Sequence, residues 1–390
     1  MRTVLFWLHL SAGVAAGVVI LVMSATGVLL TYERQLTAWA ERGYRSGPPE
    51  PGAGPLGTEA LLVAVLRQRP GAELDSVTWH SDPEAPVELR LGRTPLFVNP
   101  YTGDVLGEGS GTVRRAFRTL TDWHRWLGAS GEGREIGRAV TGACNLAFLF
   151  LVMTGVYIWW PRPFGLRRLR SVAVVDTTLK GKARDFNWHN SIGIWMALPL
   201  AAVVASGAVI SYPWARDLIY TLTGSEPPPR RDAGRPAEGR RAAEAGGNQG
   251  SGPAGRRTED GPGDLAGLDD ARGRAAAASQ GWRSIRVRLP LPDGPAVAFS
   301  VDRGSGTRPD LRSQISVDRR AGEIVSVRGF EDESPGRRLQ SWLRWVHTGE
   351  AGGVLGQTLA GVASAGAAVL VWTGLALSWR RFFRRAQPRG

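Results

Sequence analysis

Four stretches of this chain contain no Asp, Glu, Lys or Arg: Thr3 to Tyr32 (30 residues), Ala139 to Pro161 (23), Phe186 to Ala215 (30) and Ala351 to Trp379 (29). An α-helix rises 1.5 Å per residue, so about 20 residues cross the roughly 30 Å hydrocarbon core of a bilayer. Each stretch is long enough to do so, and a fully soluble protein is excluded.

The single cysteine, Cys144, lies inside the second stretch. An intramolecular disulfide, a zinc ribbon and a CxxC redox motif are therefore excluded. The net charge of +13 would suit nucleic acid in a soluble chain. In a membrane protein basic residues first report orientation, so membrane lipid is the expected surrounding and nucleic acid is not an expected partner. Met1-Arg2 and the apolar run after it are about twice the length of a signal-peptide core and carry no A-x-A site, which reads as an uncleaved anchor.

The connection from Arg162 to Asp185 carries seven basic residues against Asp176 and Asp185, and the tail adds Arg380, Arg381, Arg384, Arg385 and Arg389. Short basic segments beside spans stay in the cytoplasm. Both termini and the middle connection are thus expected inside, with two long segments facing outward. Trp159, Trp160 and Trp379 close two spans as an aromatic belt would.

Each outward segment has a helical stretch followed by strand-like runs. In the first these are Thr58 to Gln68, then Ser76 to Trp79, Val87 to Gly92, Pro95 to Val98 and Val105-Leu106. In the second they are Leu265 to Ser279, then Ile285 to Leu289, Val297 to Val301, Gln314 to Val317 and Ile324 to Val327. The Gly-, Pro- and Arg-rich stretch Gly224 to Gly263 cannot bury a core and reads as a disordered linker.

The layout is therefore a span over 1–32, an α+β module over 33–112, an interfacial helix over 113–133, a second span over 134–161 and a cytoplasmic loop over 162–185. A third span over 186–215, a linker over 216–263, a second module over 264–334, an interfacial helix over 335–350, a fourth span over 351–379 and a cytoplasmic tail over 380–390 complete it. The predicted class is a membrane α-helical protein with four transmembrane helices and two small α+β extracytoplasmic modules.

The halves repeat. Trp7-Leu8-His9 with Gly13 and Thr26-Gly27 corresponds to Trp188-His189-Asn190 with Gly193 and Ser206-Gly207, and His9 to Gly27 and His189 to Gly207 are both 18 positions. Gly137 to Gly155 and Gly356 to Gly374 are also 18 each. A tandem duplication is expected on this basis. His124 shares an amphipathic face with Val113, Ala116, Phe117 and Leu120, and His347 lies beside a similar stripe of Leu339, Trp342, Leu343 and Val346. Such stripes fit helices in the membrane interface. The spacers differ, with 13 positions from His124 to Gly137 and nine from His347 to Gly356.

Given that orientation, His9 and His189 lie near the inner face, and His124 and His347 near the outer one. A lone histidine at a membrane boundary is commonly an interfacial polar residue. Duplicated placement argues for more, because neutral imidazole is an axial ligand for haem iron. Two haems, one on His9 and His189 and one on His124 and His347, would form an electron path across the bilayer. The small residues Gly13, Ala16, Gly17, Ser24, Gly27, Gly193 and Gly207 would leave room for a flat ring or for close helix contact. His80 has no partner in the repeat and reads as a surface residue.

Trp7-Leu8-His9 with Gly13, the run Asp122-Trp123-His124-Arg125-Trp126-Leu127-Gly128, the run Gly155 to Arg162 and Val346-His347-Thr348-Gly349-Glu350 resemble the PepSY-associated transmembrane family. The outward modules resemble PepSY domains, most closely at Val98 to Leu106. The second module and Trp188-His189-Asn190 depart from the family pattern. The resemblance implies a bacterial inner-membrane protein with two b-type haems that reduces a ferric siderophore or another Fe(III) chelate outside. Gly52-Ala53-Gly54-Pro55-Leu56-Gly57 fits G-x-G-x-x-G by letter but sits in a Pro-rich loop. With no nucleotide site of its own, the chain would take electrons from a cytoplasmic reductase or a membrane quinol. Two other readings compete: a haem-free PepSY anchor or regulatory module, and a transporter. The spans lack the buried charges that mark transport pathways, which ranks the transporter last.

Overall fold

The computed structural model describes residues 1–160, 172–228, 264–306 and 308–383. Most of the expected disordered linker (229–263), part of the basic loop (161–171) and the end of the basic tail (384–390) lie outside the described residues.

Helices α1 (Arg2–Leu30), α2 (Glu33–Ala40) and α3 (Thr58–Gln68) precede strands β1 (Ser76–His80), β2 (Val87–Leu91), β3 (Thr94–Val98) and β4 (Val105–Gly107). Helices α4 (Gly111–Trp126), α5 (Gly133–Trp159), α6 (Gly181–Ser211) and α7 (Pro213–Leu222) follow. The last part runs through α8 (Leu268–Ala278), β5 (Ser284–Arg288), β6 (Ala296–Asp302), β7 (Arg312–Asp318), β8 (Glu323–Arg328), α9 (Pro335–Thr348) and α10 (Gly353–Phe382). These elements form two compact units. One comprises Met1–Gln35, Arg114–Ser225 and Leu339–Gly390, and the other Leu36–Val113 and Glu226–Arg338.

In the first unit α1, α5, α6 and α10 have 29, 27, 31 and 30 residues, enough to reach about 40 Å or more at 1.5 Å per residue. Helix α6 starts before the charge-free stretch and takes in Lys182, Arg184 and Asp185. It stops at Ser211 because Pro213 has no N–H to continue the ladder and pushes Tyr212 into extended backbone. Helix α1 packs on α5 and α10, and α6 packs on the same two, so the four helices close a ring of neighbours. Leu200, Ala363 and Ala367 are buried inside, backed by Phe148, Val152, Met196 and Leu370. Outward-facing residues are equally apolar: Val18, Leu198 and Leu355 are 65%, 81% and 84% exposed. An apolar surface of this extent requires lipid, and the protein is a multi-pass membrane protein.

The second unit is an antiparallel sheet of eight strands in the order β4-β3-β2-β1-β5-β6-β7-β8. Alternation along the strands sends Val77, Leu89, Leu96 and Val98, and in the second half Ile285, Val287, Phe299, Ile315 and Val317, to one face. Helices α3 and α8 cover that face with Leu61, Leu62, Val65, Leu268, Ala271 and Ala275. Each fully buried Leu, Ile, Val or Phe contributes roughly 1.5–3 kcal/mol. The two predicted modules each supply one helix and four strands, and pairing of β1 with β5, with Val77 opposite Val287, makes them one sheet. That pairing also removes two exposed edges.

A second tie joins the halves. Asp269 of α8 accepts from Thr58 N (2.7 Å) and Thr58 Oγ1 (2.5 Å), so its carboxylate meets the positive end of α3. The Gly52 to Gly57 motif ends at this helix start, and the place where a phosphate would bind is filled by the chain's own carboxylate.

Candidate functional site

The spans carry Thr or Ser followed by Gly at four places: Thr26-Gly27 on α1, Thr154-Gly155 on α5, Ser206-Gly207 on α6 and Thr373-Gly374 on α10. Each hydroxyl turns back on its own helix. Thr26 donates to Val22 O (2.7 Å), Thr154 to Phe150 O (2.7 Å), Ser206 to Ala202 O (2.7 Å) and Thr373 to Val369 O (2.8 Å). Such bonds commit the single hydroxyl proton. The adjacent glycine leaves a gap in the side-chain surface.

A histidine enters each gap. His9 Nδ1 lies 2.9 Å from Thr154 Oγ1, His189 Nδ1 3.0 Å from Thr373 Oγ1, and His124 Nδ1 3.0 Å from Thr26 Oγ1. Since the threonine protons are committed to backbone carbonyls, Oγ1 accepts and Nδ1–H donates. His347 departs slightly: its Nδ1 donates to Val203 O (2.8 Å), the carbonyl that Ser206 Oγ also reaches at 2.9 Å. All four rings therefore carry their lone pair on Nε2.

The glycines lie against the rings, and an added Cβ would be crowded at Gly207 and Gly374 and in ordinary contact at Gly155 and Gly27. A Cβ would stand 3.4 Å from His9 Cε1 at Gly155, 3.3 Å from His189 Cε1 at Gly374, 3.6 Å from His124 Cε1 at Gly27 and 3.1 Å from His347 Cε1 at Gly207. The other small residues serve helix packing instead, since Gly13 receives Leu151, Gly17 receives Leu375 and Gly193 receives Leu370.

His124 and His347 face each other with ring centroids 6.3 Å apart and planes at 60°, and His9 lies within electrostatic reach of His189. The unequal spacers before α5 and α10 reach the same result by different turns. After α4 the chain turns through Leu127 (φ 54°), and the backbone of Trp126 touches Gly137, where a Cβ would meet Trp126 O at 2.3 Å. After α9 the chain turns at Gly349 (φ 75°), whose carbonyl lies 2.3 Å from the Cβ position of Gly356. Glu350 anchors the second turn by an ion pair with Arg34 (2.8 Å).

Burial holds the imidazoles of His124 and His347 below the ordinary histidine range. For His124 the neighbouring His347 adds to the effect, and for His347 the bond to Val203 O opposes it. Both rings are thus neutral donors of a lone pair at neutral pH.

The family model for the PepSY-associated TM region matches residues 6–381. The chain belongs to that family. No curated protein matches it. In this PepSY-associated TM protein the matched region takes in all four histidines and all four hydroxyl-glycine pairs. It also contains two polar residues that the sequence reading missed. Asn145 Oδ1 lies 3.2 Å from the Cβ position of Gly207, beside His347, and Ser364 Oγ lies 3.4 Å from that of Gly27, beside His124. Asn145 is buried and donates to Val204 O at 2.9 Å. A spacing match could have exposed them, because Asn145 stands eight positions after Gly137 and Ser364 eight after Gly356. His80 ends β1 opposite Ser284, in the sheet unit rather than among the spans.

Proposed function

We propose that this protein is a di-haem b electron-transfer protein of the bacterial cytoplasmic membrane that reduces an Fe(III) chelate, such as a ferric siderophore, on the outer side. The reading rests above all on the four histidines that donate from Nδ1 and keep Nε2 for a metal. Metal-bound histidines almost always donate their other N–H to a carbonyl, carboxylate or water, which fixes ring orientation and tautomer. Two imidazoles on opposite sides of one metal, at metal–nitrogen distances of about 2.0 Å, have centroids roughly 6 Å apart, and the 6.3 Å between His124 and His347 fits this.

In this reading His9 with His189, and His124 with His347, each hold one haem. A Cys-x-x-Cys-His motif is absent from the chain, so attachment is non-covalent. A bound haem supplies one-electron iron chemistry. The chain's own part is to keep the rings neutral and oriented and to bury them between apolar spans. The tandem duplication belongs to the same reading, and is supported by the matching roles of Thr154-Gly155 and Thr373-Gly374 and of Thr26-Gly27 and Ser206-Gly207. With both termini inside, electrons from a cytoplasmic reductase or a quinol enter at His9/His189 and leave at His124/His347. The external Fe(III) gains one electron and is released as Fe(II).

The test is the visible spectrum of the purified protein. Protein made in haem-sufficient cells should contain two low-spin b-type haems, extractable with acidified organic solvent. A stoichiometrically colourless protein overturns the reading in favour of a haem-free PepSY anchor or regulatory module.

A further inference from the structure

A groove between the first turns of α6 and the second half of α10 has a volume of about 370 Å³. Its polar end is formed by Arg184, Asp185 and Thr373, and its walls by Trp188, Val369 and Trp372 over Ala368. Asp185 has only 1% of its side chain exposed and is paired with Arg184 (2.9 Å) and Arg380. One carboxylate against two guanidiniums leaves a surplus of one positive charge at that end. Arg184 also sits over the Trp188 ring, 5.6 Å from its centre.

Three features restrict the occupant. Trp372 is 66% exposed on a lipid-facing span, so a ligand can enter sideways from the bilayer. Two indoles in the walls offer flat faces to a planar ring, and the Arg184 guanidinium at the polar end offers hydrogen bonds to ring oxygens. Thr373 is shared with the histidine site, since its hydroxyl accepts from His189 Nδ1 at 3.0 Å. An acyl chain would use the walls and ignore the polar end. A phosphate would use the charge and ignore the indoles.

We infer that this groove binds the ring of a lipid-soluble hydroquinone, which donates electrons to the His9/His189 site; the donor role rests on the haem reading above. Oxidation of a hydroquinone to its quinone breaks two O–H bonds and yields two protons and two electrons. A haem held by His9 and His189 would supply the one-electron acceptor for them, so the two electrons would leave in succession. The protons leave to water at the Arg184 end, where 42% of that side chain is exposed.

The experiment uses the purified full-length protein with a photoactivatable azido-ubiquinone and, separately, decylubiquinol. Saturable labelling is expected on peptides containing 184–188 and 368–373, suppressed by excess decylubiquinone and unaffected by phosphatidylglycerol. Trp372→Ala, at an exposed position, should weaken binding about three- to tenfold, the loss of one aromatic face. Ala368→Phe should fill the groove and abolish labelling. In both variants the dithionite-reduced haem spectrum should be unchanged while reduction by decylubiquinol slows. Labelling elsewhere, or equal suppression by phosphatidylglycerol, overturns the quinone assignment. Haem-containing protein that dithionite reduces, but that decylubiquinol neither labels in competition nor reduces, removes the groove proposal and leaves the proposed function standing. Haem-free protein that is still labelled in the groove removes the donor role along with the proposed function.

Discussion

The imidazoles of His124 on α4 and His347 on α9 lie with their centroids 6.3 Å apart, each held by a different span: His124 by Thr26 of α1 and His347 by Val203 of α6. Neither ring is positioned by its own helix alone. The pair exists only when four helices are assembled, and its two members should depend on each other.

Loss of either member should therefore empty one site and spare the other. His124→Ala and His347→Ala should each lower haem content from two to one per chain, and His9→Ala and His189→Ala should remove the other haem. Redox titration of the Soret band would assign the lost component. If His124→Ala and His189→Ala eliminate the same component, the pairing is wrong.

Substitution of Gly207 by Ala brings a methyl group to 3.1 Å from His347 Cε1. Overpacking of this kind costs about 1–3 kcal/mol, and the ring must shift. Gly207→Ala should diminish the haem at His124/His347, whereas Gly13→Ala, whose nearest neighbour is Leu151 Cδ2 at 3.8 Å, should leave both haems in place. Identical spectra for the two variants would show that close approach to glycine is unimportant.

Thr373→Val and Thr154→Val keep shape and remove the acceptor for Nδ1–H. The rings remain and lose orientation, so on the proposed function haem affinity at the His9/His189 site should fall about 10- to 100-fold, the range for hydrogen-bond partners of metal-bound histidines, with a measurable shift in midpoint potential. A haem titration of apoprotein that finds wild-type affinity and potential would contradict this role.

Asp269→Ala removes the carboxylate that caps α3 across the two halves of the sheet. Loss of such a cap costs about 0.5–2 kcal/mol. Thermal unfolding of the full-length protein should shift down, with protease cutting first near the start of α3. An unchanged melting curve would mean that the halves are held by β1–β5 pairing alone.

Membrane orientation can be read with single cysteines in a Cys144→Ala background. A cysteine at Lys182 should react only from the cytoplasm and one at Asp104 only from outside. The reverse pattern would invert the proposed direction of electron flow.

Local signals made much of this molecule legible. The absence of charge over long stretches marked the spans, because burying an ionised group in hydrocarbon is too costly to be scattered. Period-two alternation marked every strand to within one or two residues, as at Ser76–His80 and Ala296–Asp302. Helices α2 and α7 were not marked, being short, and α7 (Pro213–Leu222) corrects the expected boundary at 215, since seven of its residues fall in the stretch from 216 read as linker. Matching spacings in the two halves brought His9, His189, His124 and His347 to attention.

The sequence by itself therefore determined the spans, the strands and the four histidines, all of which follow from the chemistry of neighbouring residues. Only the tertiary structure decided three things. It joined β1 to β5 in register, which depends on the whole of each segment rather than on either one. It set each histidine against a glycine on another helix, with Nδ1 donating to a threonine hydroxyl for His9, His124 and His189 and to Val203 O for His347, and so fixed the tautomer. It also gathered Arg184, Asp185 and Arg380 at one end of a groove walled by Trp188 and Trp372. Such contacts link residues far apart in the chain, whose loop-closure entropy is offset only when many contacts form together.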